Sequence, residues 1–286
     1  MSIHLDERPD GGLALFIDGD LQFDSRDEAL YHENMALPAL SLARAARDDA
    51  LRVLICGGGD GLALRECLRF PGVTAVDLVD LSAEVVELGR TGLAKLNGHA
   101  FSDPRVTVTI ADAWEFLAAA TPYDVILCDL TVPRRPEDTR VFTVEWYERV
   151  REALARGGVA TINGLSPTQS PEAFWCLRRT IRAAGLFATG YRVCLPSFRD
   201  AGYGVWSFFL AGHQPLTRQR LSRLECPVAT RQADLTQLGH AARFRREERA
   251  LEAHVPAHRL AQPCLLPLLL NPGRTDLAQV ADDAPL

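Results

Sequence analysis

Residues 52–61, RVLICGGGDG, constrain this chain more than any other stretch. A short apolar run, Val53, Leu54, Ile55, leads straight into Gly57, Gly58, Gly59, Asp60 and Gly61. The segment that follows, LALRECLRF, is amphipathic, so the reading is strand, tight turn, helix: the first half of a nucleotide-binding βαβ unit. Glycines suit such a turn because a side chain would hold the backbone away from a ligand and penalise positive φ, so Gly57 and Gly59 are expected against the bound group. Asp60 is awkward for a dinucleotide, since it would repel a pyrophosphate at the positive end of the helix. It suits a cationic ligand better.

Three more strands end in acids. AVDLVDL (75–81) carries Asp80, about 20 residues beyond the glycines, the spacing at which an acid grips ribose hydroxyls. VTVTI runs into Ala111, Asp112 and Ala113, and YDVILCD ends in Asp129. Any one of these acids alone reads as an ordinary cap or loop residue. Four in register, at the edge where open α/β sheets bind ligands, point to one acidic site.

The formal charge of −6 argues against nucleic acid as a partner, because phosphate neutralisation needs a basic face. The seven cysteines show no C-x-x-C pairing and read as small buried hydrophobes of a reducing compartment. No His or Cys cluster suggests a metal. The start, MSIHLDERPDGG, lacks the pattern of a secretory signal, and the longest apolar run, CLLPLLL, is too short to span a bilayer. A cytoplasmic protein without membrane contact is expected.

In chain order, LALFI, Asp18-Gly19 and DLQFDS predict a β-hairpin, since Asp-Gly favours two-residue hairpin turns. A helix is expected from Ser25, with Ser25 as N-cap, Glu28 in a capping box and Pro38 as a possible kink. Strands and helices then alternate over 51–163, which predicts a doubly wound, mostly parallel sheet of the α/β class. The Pro-rich, charged run DLTVPRRPEDTRVF lies at the ligand edge and is a candidate lid. ATGYRVCLPSF and YGVWSFFLA predict an antiparallel hairpin closing the sheet. The expected division is an N-terminal hairpin element (1–26), a Rossmann-like catalytic domain (27–211) and a helical C-terminal appendage (212–286).

IDGDLQFDSRDEALYHE, ICGGGDG, the acidic end of VDLVD, the Asp-Ala of IADA, YDVILCDLTVP and LPSF with VWSFFLA occur here in an order that resembles the polyamine aminopropyltransferases, the spermidine synthase family. The likeness covers roughly residues 13–211. It implies a class I methyltransferase-like fold and decarboxylated S-adenosylmethionine as co-substrate, with no prosthetic group. It also implies that Asp80 binds the ribose, Asp112 with Ala113 the adenine, Gln22 the same nucleoside, and that Pro136 lines its pocket. Asp60 would hold the amine of the aminopropyl group. Tyr31 and His32 match positions that contact the polyamine, Asp129 matches the catalytic acid, and Thr131 shares its substrate-facing turn. A small amine substrate, putrescine first, and a homodimer or homotetramer follow from the same resemblance.

The chemistry makes separate sense of these acids. The donor carries a sulfonium and an ammonium, the acceptor is a protonated diamine, and carboxylates are what such cations require in a pocket. The acceptor nitrogen must lose a proton before it attacks, which suits Asp129 as base. Ordinary S-adenosylmethionine would press its own carboxylate against Asp60. One position departs from the family: its pattern D-x-x-D-P reads here Asp129-Leu130-Thr131-Val132-Pro133, so the second acid is replaced by Val132. Two other readings stay open, a small-molecule methyltransferase on the same fold and a non-catalytic polyamine-binding relative.

Overall fold

A computed structural model describes residues 1–46 and 50–272; the end of the expected C-terminal appendage, 273–286, lies outside the described residues. The chain opens with three strands, β1 (Ile3–Glu7), β2 (Leu13–Ile17) and β3 (Asp20–Asp24), paired antiparallel in that order. The expected hairpin is β2–β3, and Asp18 and Gly19 at its tip both take positive φ. β1 is an addition to it: only alternate residues of IHLDE are half-buried, so its apolar pattern is too thin to announce a strand.

The main sheet has seven strands: β4 (Leu51–Gly57), β5 (Val73–Asp80), β6 (Val106–Ile110), β7 (Tyr123–Asp129), β8 (Leu154–Asn163), β9 (Phe187–Val193) and β10 (Trp206–Gly212). Their order is β6-β5-β4-β7-β8-β10-β9; the first five are parallel, and β10 runs antiparallel to both β8 and β9. Strand order reverses between β4 and β7, and a ligand crevice opens outside the carboxyl ends at such a switch point. Gly57 and Asp129 face each other there as registered neighbours.

The strand residues alternate between two cores. Val53 and Ile55 pack to one side of β4, Leu54 and Cys56 to the other, as a period of two requires. The first core is covered by α1 (Glu28–Ala46) and α2 (Leu62–Arg69), with α3 (Ala83–Arg90) contributing Val86. The second is covered by α4 (Ala113–Ala118), α5 (Val144–Ala153) and α6 (Pro171–Ala183). The C-terminal segment joins both: Leu221, Leu235 and Leu238 enter the first core, Val255 and Leu265 the second.

α1 is buried on all sides from Tyr31 to Ala43, so its sequence lacks the one-sided stripe of a surface helix. Pro38 has no N–H for the carbonyl of Asn34, and that carbonyl accepts instead from the Tyr191 hydroxyl at 2.6 Å. The start of α1 differs from expectation. Ser25 Oγ accepts from Leu13 N–H, back in the small sheet, and Leu30 N–H donates to Gln232 Oε1, a cap supplied from 202 residues away. Glu28 is committed to a buried ion pair with Arg65 and makes no capping box. Among the described residues, no helix is long and apolar enough to cross a membrane.

Candidate active site

A cavity of about 1120 Å³ sits at the switch point, and every residue singled out in the sequence lines it: Gln22, Tyr31, His32, Gly57, Gly59, Asp60, Asp80, Asp112, Ala113, Asp129, Thr131 and Pro136. The two glycines have steric reasons to be there. Gly57 has φ +84°, and a Cβ on it would lie 2.1 Å from the Asp129 carbonyl oxygen; one on Gly59 would lie 2.7 Å from Asp80 Oδ2.

Asp80, at the end of β5, accepts from Gly59 N–H at 2.9 Å and Ser82 N–H at 2.8 Å. Burial raises its pKa, those amides oppose the rise, and the charge of Asp60 adds to it. Asp60 accepts from Leu62 N–H at 2.8 Å with Oδ1, which fixes the carboxylate at the start of α2. Asp129 accepts from the Tyr31 hydroxyl at 3.0 Å. Its pKa is pushed up to about 6, first by burial and further by Asp60 and Asp80; His32 and the Tyr31 hydrogen bond pull the other way. Tyr31 is fixed by edge contacts with Phe208 and His32, at 4.9 and 4.8 Å between ring centroids. Its hydroxyl is held protonated by burial and by Asp129.

Three of the other acids lining the cavity are each met by an arginine. Asp112 caps α4 through Trp114 N–H at 2.8 Å, and its other oxygen meets Arg140, whose guanidinium lies 5.0 Å from the Trp114 ring centroid. Asp20 pairs with Arg134 and accepts from the Tyr203 hydroxyl at 2.9 Å. Asp138 pairs with Arg135 at 3.0 Å. These three arginines all come from the Pro-rich run after β7, whose second half forms a 3₁₀ helix (Pro136–Phe142) over the opening. Among the described residues, no arginine or lysine pairs with Asp60, Asp80 or Asp129. The floor therefore carries negative charge left for a ligand, while Asp20, Asp112 and Asp138 at the rim are each offset by an arginine.

Sequence reasoning missed three parts of the wall. Asn163, at the end of β8, donates to the Leu130 carbonyl at 2.9 Å and accepts from Trp206 Nε1 at 2.9 Å, which fixes the turn just after Asp129. A polar residue closing the apolar run GGVATIN was the available signal. Arg140 carried no signal, because its partner Asp112 is 28 positions away. His258 belongs to the C-terminal segment, whose role sequence left blank. Its Nδ1 accepts from Cys264 N–H at 3.0 Å, so its Nε2 carries the proton and donates to the Thr139 carbonyl at 3.1 Å. The C-terminal segment thus pins the 3₁₀ helix of the rim and adds Arg259, Leu260 and Pro263 to the lining.

The spermine/spermidine synthase domain matches residues 28–219. "Polyamine aminopropyltransferase 2" of Ralstonia nicotianae is 43% identical over 202 residues, 70% of this chain and 38% of that protein. The chain thus spans well under half the length of that curated relative. Among solved structures, spermidine synthase from Thermotoga maritima superposes with a TM-score of 0.71 at 26% identity, covering 87% of this chain and 84% of the other. A spermidine synthase in complex with the transition-state analogue AdoDATO gives 0.73 at 26% identity, covering 87% and 85%. With the domain match over two thirds of its length and the same doubly wound fold, this chain belongs to the spermine/spermidine synthase family.

Proposed function

We propose that this chain is an aminopropyltransferase that moves the aminopropyl group of decarboxylated S-adenosylmethionine onto a primary amine, with putrescine as acceptor and spermidine as product. The observation that carries the reading is the trio Asp60, Asp80 and Asp129, exposed to one cavity without a guanidinium among them. Two cationic substrates need such a floor, and an anionic donor is repelled by it.

In this reading Asp80 takes the ribose and Asp112 with Ala113 the adenine, while Gln22 and Pro136 border the nucleoside. Asp60 holds the donor ammonium, and Tyr31, His32 and Thr131 border the acceptor. The acceptor nitrogen gives its proton to the Asp129 carboxylate and its lone pair to the methylene beside sulfur. The C–S bond breaks with its electrons on sulfur, so the sulfonium becomes the neutral thioether 5′-methylthioadenosine. Orientation and charge supply the rate, and no prosthetic group is called for. The free cysteines, five of them buried, support a reducing cytoplasmic setting. A homodimer or homotetramer is the assembly expected, read by light scattering on the same preparation.

Val132 favours a second reading, a polyamine-binding relative that does not turn over. It lines the cavity three residues past Asp129 and cannot anchor an ammonium. A product assay separates the two: the protein with decarboxylated or ordinary S-adenosylmethionine, each against putrescine, cadaverine, agmatine, spermidine and norspermidine, followed by mass spectrometry. A gain of one aminopropyl unit with release of methylthioadenosine supports transfer. A methylated product, or donor binding without product, overturns it.

A further inference from the structure

Four charged side chains of alternating sign lead from the packed face of α1 to the floor of the cavity. Arg65 on α2 meets both oxygens of Glu28, at 3.1 and 2.7 Å, in a fork-to-fork pair. Arg65 is itself fixed by Glu66 Oε1 at 2.7 Å and the Leu96 carbonyl at 2.8 Å. One turn further along α1, His32 Nδ1 lies 2.7 Å from the Glu28 carbonyl and 3.3 Å from its carboxylate. His32 and Asp129 both line the cavity, and Tyr31, next to His32 in the chain, bonds Asp129. Glu28 is 4% exposed and His32 2%, so neither charge is solvated and each depends on the next.

We propose that Glu28, fixed by Arg65, is a positioning residue that keeps the His32 ring cationic and turned to the cavity, where its charge holds Asp129 as a carboxylate. This rests on the reading of Asp129 as the base. A carbonyl oxygen only accepts, so the Glu28 carbonyl requires a proton on Nδ1. A neutral ring would then present a bare Nε2 lone pair to a cavity floored by Asp60 and Asp129. The cationic ring presents an N–H instead. Burial alone would discharge His32; the Glu28 hydrogen bond, Asp60, the Glu28 charge and Asp129 together outweigh it and raise its pKa. Burial alone would likewise protonate Glu28, yet His32 and Arg65 hold it down at about 2. Removing the Glu28 charge therefore withdraws support from His32, and with it the cation whose charge favours the Asp129 carboxylate.

The charged and titratable groups around this chain of residues come from every side. Glu28 on α1, Asp60 after β4 and Asp129 on β7 act on His32, and the Tyr31 ring lies against it at 4.8 Å. Arg65 from α2 and Arg231 from the C-terminal segment, 3.8 Å away, act on Glu28. Asp60 and Asp80 act on Asp129.

The test is Glu28→Gln against wild type, read in two ways. NMR of the His32 ring protons should show wild type titrating above the ordinary imidazole range and the variant titrating lower. The pH profile of kcat/KM with decarboxylated donor should lose about tenfold at pH 6, with the loss shrinking as pH rises, since one pH unit on the acid limb is a factor of ten. Glu28→Asp, which keeps the charge, should restore much of the acid limb. A loss of equal size at every pH, with the His32 titration unmoved, overturns the proposal and leaves Glu28 as packing. So does a wild-type His32 that titrates below the ordinary range, a measurement that stands even where Glu28→Gln fails to fold. Absence of methylthioadenosine from every amine would sink the transferase reading and leave the NMR result to decide the charge of His32.

Discussion

Tyr31 and Asp129, 98 residues apart, meet in one hydrogen bond of 3.0 Å at the floor of the cavity. The pair joins the buried helix α1 to the edge of the central sheet. The phenol donates to one carboxylate oxygen, Oδ1, which leaves Oδ2 for the amine of the proposed mechanism. Asp129→Asn keeps the shape of that contact and removes the proposed base. Turnover should fall by roughly 10²–10⁴-fold, the usual worth of a positioned base, while donor affinity stays within about twofold. Single-turnover kinetics with a calorimetric donor titration checks both, and equal losses in the two would make Asp129 a structural residue.

Acid should silence the enzyme earlier than an ordinary carboxylate would allow. Asp129 is pushed up to about 6, and the proposed mechanism uses it deprotonated. The rate therefore rises with pH through about 6, and below that value kcat/KM should drop about tenfold per pH unit. Methylthioadenosine release measured from pH 5 to 9 gives the limb; one centred near 4 would contradict the assignment.

Val132 should limit diamine affinity. It lines the cavity and packs against both cores, and the rim acids Asp20 and Asp138 are already paired with Arg134 and Arg135. Val132→Asp adds a carboxylate three residues from Asp129, where a second ammonium would gain about 1–2 kcal/mol at a partly exposed site. The KM for putrescine should fall by roughly five- to thirtyfold, and that for a monoamine such as butylamine should not. Steady-state kinetics on both amines decides it, since an equal change for both would point to altered packing.

Arg65 should matter for stability more than any rim arginine. Its side chain is 9% exposed and faces Glu28 and Glu66, which are 4% and 0% exposed. Arg65→Ala removes the fork-to-fork partner of Glu28 and leaves it to His32 and the more distant Arg231, while Glu66 keeps Arg69 and Arg231; breaking the buried pair should cost about 3 kcal/mol in a urea titration. Acid adds a signature. Glu28 is lowered from its ordinary 4.5 to about 2, so its stabilisation is complete above about 4.5 and fades as pH falls toward 2. The stability gap between wild type and Glu28→Gln should narrow over that window, and a gap independent of pH would assign the loss to packing.

Local patterns were enough for much of this molecule. A strand running into glycines, and three further strands each ending in an acid, identify a doubly wound sheet and its ligand edge, because alternation and turn chemistry are local properties. All twelve residues singled out on that basis and by family resemblance do line the cavity. β1 escaped because a half-exposed edge strand leaves almost no apolar pattern. The Ser25 cap was misread because Ser25 Oγ is taken by Leu13 N–H of the small sheet, and a first-turn amide of the helix, Leu30 N–H, finds Gln232 instead.

The chain's own order of residues determined that an acidic, glycine-lined site would form at the carboxyl edge of a parallel sheet. Only the tertiary structure decided which acids keep their charge for a ligand. Asp60, Asp80 and Asp129 are left without an arginine or lysine partner among the described residues, whereas Asp20, Asp112 and Asp138 are each met by an arginine of the rim. It also brought Arg65 and Arg231 to Glu28, and His258 to the rim helix. These are pairings between distant segments, set by how helices pack on the sheet, and a charge reports nothing about its partner until the fold brings the two together.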